Sequence, residues 1–230
     1  NANPAPHANP KNNPPRPMPM SHKPRRTALL IAAALCVAAA TARTAADFFV
    51  AAPDSVIRLL PQATRLDMLD YHRYGSDRPS TNQFNGPAIL RTESDAIVEF
   101  DVDRDISMQL AVIPAGSDTV VALVTTCLLP VPDSSIQYFD TSWRPVAKGL
   151  PAIPAYADWL TPEATRTPGP VEVELPFIPV SAAFSPGATV LTFTNQAQAY
   201  LDSATWTRIQ PMMTPAIAYD IKGGRFTQHR

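Results

Sequence analysis

Histidine and cysteine are scarce in this chain: four and two, respectively, among 230 residues. Beyond residue 42 only Cys127, His72 and His229 remain. One cysteine forms no intramolecular disulfide. One interior histidine leaves no multi-histidine zinc site and a single base for a Ser–His pair. There is no G-x-S-x-G elbow, phosphate loop or dinucleotide fingerprint, so no cofactor is implied. A basic stripe is missing too. Residues 1–42 carry five of the 19 Lys+Arg and none of the 20 Asp+Glu, so residues 43–230 hold 14 basic against 20 acidic groups, a formal net charge of −6. That balance argues against nucleic acid and against an anionic membrane surface.

Long hydrophobic runs are also absent. The longest, Ala28 to Ala40, is 13 residues, short of the ~20 that span a bilayer. It fits a signal peptide over residues 21–42. Lys23, Arg25 and Arg26 form the positive n-region, Ala28–Ala40 the apolar segment, and Ala40-Thr41-Ala42 a small-residue cleavage site. Cleavage there predicts a periplasmic or secreted product with no stable membrane span; the alternative is an uncleaved leader that anchors the chain at the inner membrane. Cys36 does not make it a lipoprotein, because Leu35 stands where the lipoprotein peptidase takes a small residue. Residues 1–20 are Asn/Pro-rich without apolar periodicity, which predicts disorder or untranslated upstream sequence, with Met18 or Met20 as the start.

What is present is a protein of short segments. Proline reaches 26 residues, about twice the usual share, and its spread favours strands and turns over long helices. The segment ISMQLAVIPAGSDTVVALVTT, Ile106 to Thr126, predicts an antiparallel hairpin around Pro114–Asp118. Its strands are too apolar for a pair with both faces in water, so neighbouring segments must cover them. Ala45–Tyr74 is the clearest helical region. It is broken at Pro53 and Pro61, with a middle piece carrying Val56, Leu59 and Leu60 and a last piece capped by Thr64. Gly75–Pro87 predicts a loop, and Ile97–Asp103 alternates as a strand with Val98, Phe100 and Val102 on one face. Pro130–Ser134 predicts a turn and Ser135–Phe139 a strand. Val171–Leu175 alternates like another strand, Asp202-Ser203 predicts a cap for a turn holding Trp206 and Ile209, and a final hairpin turns at Gly223-Gly224.

These segments predict an α+β fold: a broken N-terminal helix packed on antiparallel β-sheets, with residues 43–150 carrying the helix and a first sheet and residues 151–230 a second sheet-rich half. A faint internal echo suggests a duplicated helix-plus-meander unit. Asp47-Phe48 would correspond to Asp158-Trp159, and Tyr138, Asp140 and Trp143 to Tyr200, Asp202 and Trp206.

The pattern Asp47-Phe48-Phe49, Ala52-Pro53-Asp54-Ser55 and Arg65–Tyr71, followed by Pro132-Asp133-Ser134, Tyr138–Thr141, Trp143 and a tail with Pro215, Tyr219 and Gly224-Arg225-Phe226, resembles the Bacteroidetes family catalogued as domain of unknown function 3256. The resemblance spans residues 43–230 and implies an exported protein of a Gram-negative bacterium. It supplies no activity, substrate or catalytic residue.

Candidate chemistry therefore rests on the residues. Asp101, Asp103 and Asp105 have the opening spacing of a calcium loop, but Ile106 replaces its glycine and Val112 its closing glutamate. An acidic strand face accounts for them. Two Pro-Asp-Ser triplets present Asp54 and Ser55, and Asp133 and Ser134, where such residues usually serve local backbone bonds at turns. Tyr138 and Trp143 head a set of aromatics suited to lining a sugar or peptide groove, or to filling the core with a bonded polar tip. Cys127 predicts a small buried hydrophobe. The resulting expectation is an exported cell-envelope protein that binds or scaffolds through exposed loops, with an envelope protein or polysaccharide as partner. The alternative is a periplasmic hydrolase using carboxylates near the Pro-Asp-Ser turns.

Overall fold

A reciprocal cap at Thr44 starts the first helix. Thr44 Oγ1 accepts the Asp47 amide at 3.2 Å and Asp47 Oδ2 accepts the Thr44 amide at 2.8 Å, satisfying donors that a helix start leaves open. The computed structural model describes Asn1 and residues 42–76, 78–166 and 169–229. The expected leader and upstream segment fall outside these, apart from Asn1 and Ala42. Residues Arg43–Arg230 form a unit of their own.

Helix α1 (Ala45–Ala51) buries Phe48 and Phe49. The middle piece expected through Val56 and Leu60 is a series of turns, because Leu59 takes a left-handed backbone with φ of 68° that a right-handed helix does not pass through. Helix α2 (Gln62–Arg73) then starts behind Pro61, two residues before the expected cap. Thr64 reaches the Thr81 carbonyl instead, at 3.5 Å.

The first sheet is an antiparallel meander in sequence order: β1 (Ser80–Thr81), β2 (Pro87–Glu93), β3 (Ile97–Asp101), β4 (Ile106–Ala115), β5 (Asp118–Cys127), β6 (Asp133–Phe139) and β7 (Pro145–Val146). Its centre is the expected hairpin, paired from Ile106 with Cys127 to Ala115 with Asp118. Gly116, with φ of 70°, stands first of the two turn residues, where a type II′ turn asks for glycine. Alternate residues on the central strands join different cores. Val98, Phe100, Leu110, Val121 and Leu123 pack with α1 and α2. Ile97, Ala111, Ile113, Ala122 and Val124 pack with the second half of the chain. Both faces are covered, which is why apolar residues stand on both faces along the middle of β4 and β5.

The second sheet runs β8 (Val180–Phe184), β9 (Val190–Asn195), β10 (Ala216–Lys222) and β11 (Arg225–Gln228) in that order, all antiparallel. Short helices surround it: α3 (Pro162–Arg166), α4 (Gly169–Glu174), α5 (Ala197–Tyr200) and α6 (Ser203–Ile209). Asp202 caps α6 as expected, accepting the Ala204 and Thr205 amides at 3.0 Å. The final hairpin turns at Gly223-Gly224, both left-handed. The fold is α+β, mostly sheet, with the broken helix laid on antiparallel strands.

Four local expectations are corrected. Val171–Leu175 lies in and just beyond α4 instead of forming a strand. Val171 and Leu175 are both 0% exposed and Val173 is 82% exposed, so burial follows the i, i+4 spacing of a helix; a strand would put all three on one face. Asp133 and Ser134 open strand β6 instead of closing a turn, paired with Cys127 and Thr126. Ser80 and Thr81, within the expected loop, form β1 against Pro87 and Ala88. Cys127 ends β5 exposed, its Sγ 3.4 Å from the Leu129 carbonyl. The internal echo is local. Asp158 accepts the Ala155 amide at 2.8 Å as Asp47 accepts that of Thr44, and Phe48 and Trp159 are both buried. Tyr138, however, lies on a strand while Tyr200 and Trp206 lie on helices.

Candidate functional site

Three of the four acidic and hydroxyl residues of the Pro-Asp-Ser triplets hydrogen-bond within the body through their side chains. Asp54 accepts a hydrogen bond from Arg65 Nη1 at 3.1 Å. Arg65, only 1% exposed, also donates to the carbonyls of Leu60, Ala52 and Val50 at 2.5, 2.5 and 3.2 Å. One guanidinium thereby fills the carbonyls that the break between α1 and α2 leaves open. Burial pushes its pKa down, and the Asp54 carboxylate acts in the opposite direction. Sequence reasoning missed Arg65, because nothing local distinguishes a buried arginine from a surface one. Ser55 is exposed, and its carbonyl lies 3.5 Å from Arg58 Nε.

The second triplet works at long range. Asp133 Oδ1 accepts the Val180 amide and Ser134 Oγ accepts the Ala182 amide, each at 3.0 Å and across 47 and 48 residues. Gln109 completes the row: its Oε1 accepts the Phe184 amide at 2.6 Å and its Nε2 donates to the Phe184 carbonyl at 3.0 Å. Alternate amides on the edge of β8 are thus met by side chains of the first sheet. An edge strand otherwise presents such groups as a pairing template. The local bonding expected for Asp133 and Ser134 is replaced by this seam. The carboxylates of the two triplets are engaged on separate elements and share no partner.

The aromatic candidates fill the interior. Tyr138 is buried and its hydroxyl donates to the Pro151 carbonyl at 2.8 Å; burial holds the phenol above its ordinary pKa. Trp143, left-handed at φ 62°, packs on Phe139 and Phe48 with ring centroids 5.3 and 6.3 Å apart. Tyr138 also lines a shallow hollow of about 240 Å³ with Pro145, Val146 and Leu150. The acidic run is dispersed as well: Asp101 pairs with Arg91, while Asp103 Oδ1 accepts the Asp105 and Ile106 amides at 2.8 Å. Among the described residues, no group of three or more His, Cys, Asp or Glu could hold a metal ion, and no helix is long and apolar enough to cross a membrane.

The concave surface with recognition chemistry lies between the end of α2 and strands β1 and β2, where sequence reasoning placed a plain loop. It encloses about 450 Å³ and is lined by Met68, Tyr71, His72, Arg78, Ser80, Leu90 and Arg91, among others. Helix α2 supplies Met68, Tyr71 and His72 from one face, by their i, i+3 and i+4 spacing. The helix ends in a left-handed Gly75, whose amide donates to the His72 carbonyl while that of Ser76 donates to Tyr71. This paired closure turns the chain sharply back along the helix. The Arg78 guanidinium lies 5.8 Å from the centre of the Tyr71 ring. The Arg91 guanidinium is held by Asp101 at 2.6 Å. The Ser80 hydroxyl is buried with no hydrogen-bond partner. A roomier hollow of about 580 Å³ lies among the turns at Ser117, Asp118, Asp140 and Lys148, but its lysine is opposed by the two aspartates and no unpartnered buried group lines it.

The fold and site define a two-sheet α+β protein with a small basic cleft beside its N-terminal helices. The chain belongs to the family described as protein of unknown function (DUF3256), whose model matches residues 37–226. It is similar in structure to a domain of an uncharacterized protein from Porphyromonas gingivalis W83, with a TM-score of 0.62 at 19% identity, over 80% of this chain and 96% of that one. At that identity the likeness speaks for the fold. No curated protein matches the chain.

Proposed function

We propose that this is an exported cell-envelope protein, periplasmic or secreted after loss of its leader, that works by binding or scaffolding and performs no catalysis. Its partner is an envelope protein or polysaccharide. The observation that carries this reading is the engagement of Asp133, Ser134 and Gln109 on the edge of β8. Polar side chains that a hydrolase would gather in a cleft are used to close the two sheets on each other. The cleft beside α2 presents cationic and hydroxyl groups suited to recognition. The positive, apolar and small-residue order of residues 21–42 supports export.

Two measurements test the reading. Fractionation of cells expressing the full chain, followed by N-terminal sequencing, should recover a product beginning near Arg43 outside the cytoplasm; an uncleaved cytoplasmic chain overturns export. Cross-linking in intact envelopes should return one reproducible protein or polysaccharide. Turnover of an ester, peptide or glycosidic bond that is lost in Asp133→Asn while the fold persists would establish the hydrolase instead.

A further inference from the structure

We propose that the cleft between α2, β1 and β2 binds a small organic carboxylate, with the carboxylate on Arg78 and Ser80 and an apolar or planar body against Met68 and Leu90. The inference rests on the binding reading above and names the ligand class of that site. Three observations converge. Arg78 has no carboxylate partner among the described residues, and its guanidinium lies within cation–π range of Tyr71, an arrangement compatible with presenting its N–H groups to a ligand's oxygens. Ser80, on the wall of the cleft, buries a hydroxyl that bonds nothing; buried hydroxyls are normally satisfied, and a ligand oxygen would satisfy this one. The remaining wall includes Met68, Ala88 and Leu90, buried apolar side chains that would contact a hydrocarbon or ring better than a bare inorganic ion.

The charge count selects the anion. Arg91 also lines the cleft but is neutralised by Asp101 on β3, through Nη2 at 2.6 Å and Nε at 2.8 Å. Among the described residues Arg78 is then the cleft's one guanidinium without a carboxylate, and one positive charge favours a carboxylate over a phosphate dianion. The enclosed volume, about 450 Å³, is that of a site for a small molecule or the end of a chain.

The test is a titration of the full chain, followed by the amide resonances of Ser80 and Leu90, with benzoate, benzyl alcohol and phenyl phosphate as probes. Benzoate should give saturable shifts at those positions and bind about tenfold or more tightly than benzyl alcohol, the gain expected of a charge-assisted hydrogen bond. Arg78→Gln should reduce benzoate to the level of the alcohol. Ser80→Ala should weaken benzoate severalfold without lowering the unfolding midpoint of the free protein, since the hydroxyl it removes bonds nothing there. Absence of saturable shifts, equal binding of benzoate and benzyl alcohol, or an Arg78→Gln variant that binds benzoate normally would each overturn the proposal. Tighter binding of phenyl phosphate than of benzoate would overturn the choice of anion. Failure here with export and a captured partner established removes the ligand class alone. Benzoate binding by a chain retained in the cytoplasm would do the reverse.

Discussion

Replacing Gln109 with methionine removes three hydrogen bonds while keeping an unbranched side chain of similar length. Gln109 is 8% exposed. Its amide group meets both the N–H and the C=O of Phe184, and it also donates to Glu99 Oε1 at 2.7 Å. In the methionine variant the two Phe184 backbone groups lose these partners on the buried face of β8. Each orphaned group costs about 1–3 kcal/mol, so the variant should lose about 2–6 kcal/mol of unfolding free energy. That is a large fraction of the roughly 5–15 kcal/mol typical of a domain. Urea unfolding measures the loss, and native-state hydrogen exchange localises it: the Phe184 amide should exchange faster while amides at the centre of the β4–β5 hairpin change no more than the global stability does. Gln109→Glu gives a signed control. It keeps an acceptor for the Phe184 amide but brings a second carboxylate to Glu99, so its folded-state pKa should rise. Its deficit should be largest at neutral pH and shrink as pH falls through that raised value and the acid becomes a donor. A loss below about 1 kcal/mol in Gln109→Met, with Phe184 protection unchanged, would refute the view that this seam holds the sheets together.

Arg65→Met should destabilise by about 2–6 kcal/mol, since the buried carbonyls of Ala52 and Leu60 lose their donor; Asp54→Asn, altering an exposed carboxylate, should lose under about 1 kcal/mol by chemical denaturation. Gly224→Ala forces a side chain onto a left-handed backbone and drives its Cβ into Ala115. A loss of about 2–4 kcal/mol in thermal unfolding is expected. The Asp47 carboxyl is held below its ordinary pKa, first by the Thr44 amide and then by the Thr44 hydroxyl. Its contribution is therefore complete above the unfolded-state value and vanishes as pH falls through the lower folded-state one. The stability advantage of the wild type over Asp47→Asn should follow that course in acid unfolding curves.

Local chemistry determined what the sequence could show unaided. The β4–β5 hairpin, the Asp202 cap and the Gly223-Gly224 turn were legible because periodicity, a capping side chain and a left-handed glycine act over a few residues. The apolar content of β4 and β5 required neighbouring segments to cover them, and the α+β class followed; that both faces are covered was a matter of tertiary packing. Tertiary structure decided the rest. The stretch Val171–Leu175 satisfies strand and helix spacing at its two ends, and only the exposure of Val173 chooses. Asp133 and Ser134 look like turn formers until β8 arrives 47 residues later with unpaired amides. Arg65 and Ser80, which organise the helix break and the cleft, carry no pattern at all. Their roles depend on which backbone groups and which walls the folded chain brings around them, and spacing along a sequence does not encode that.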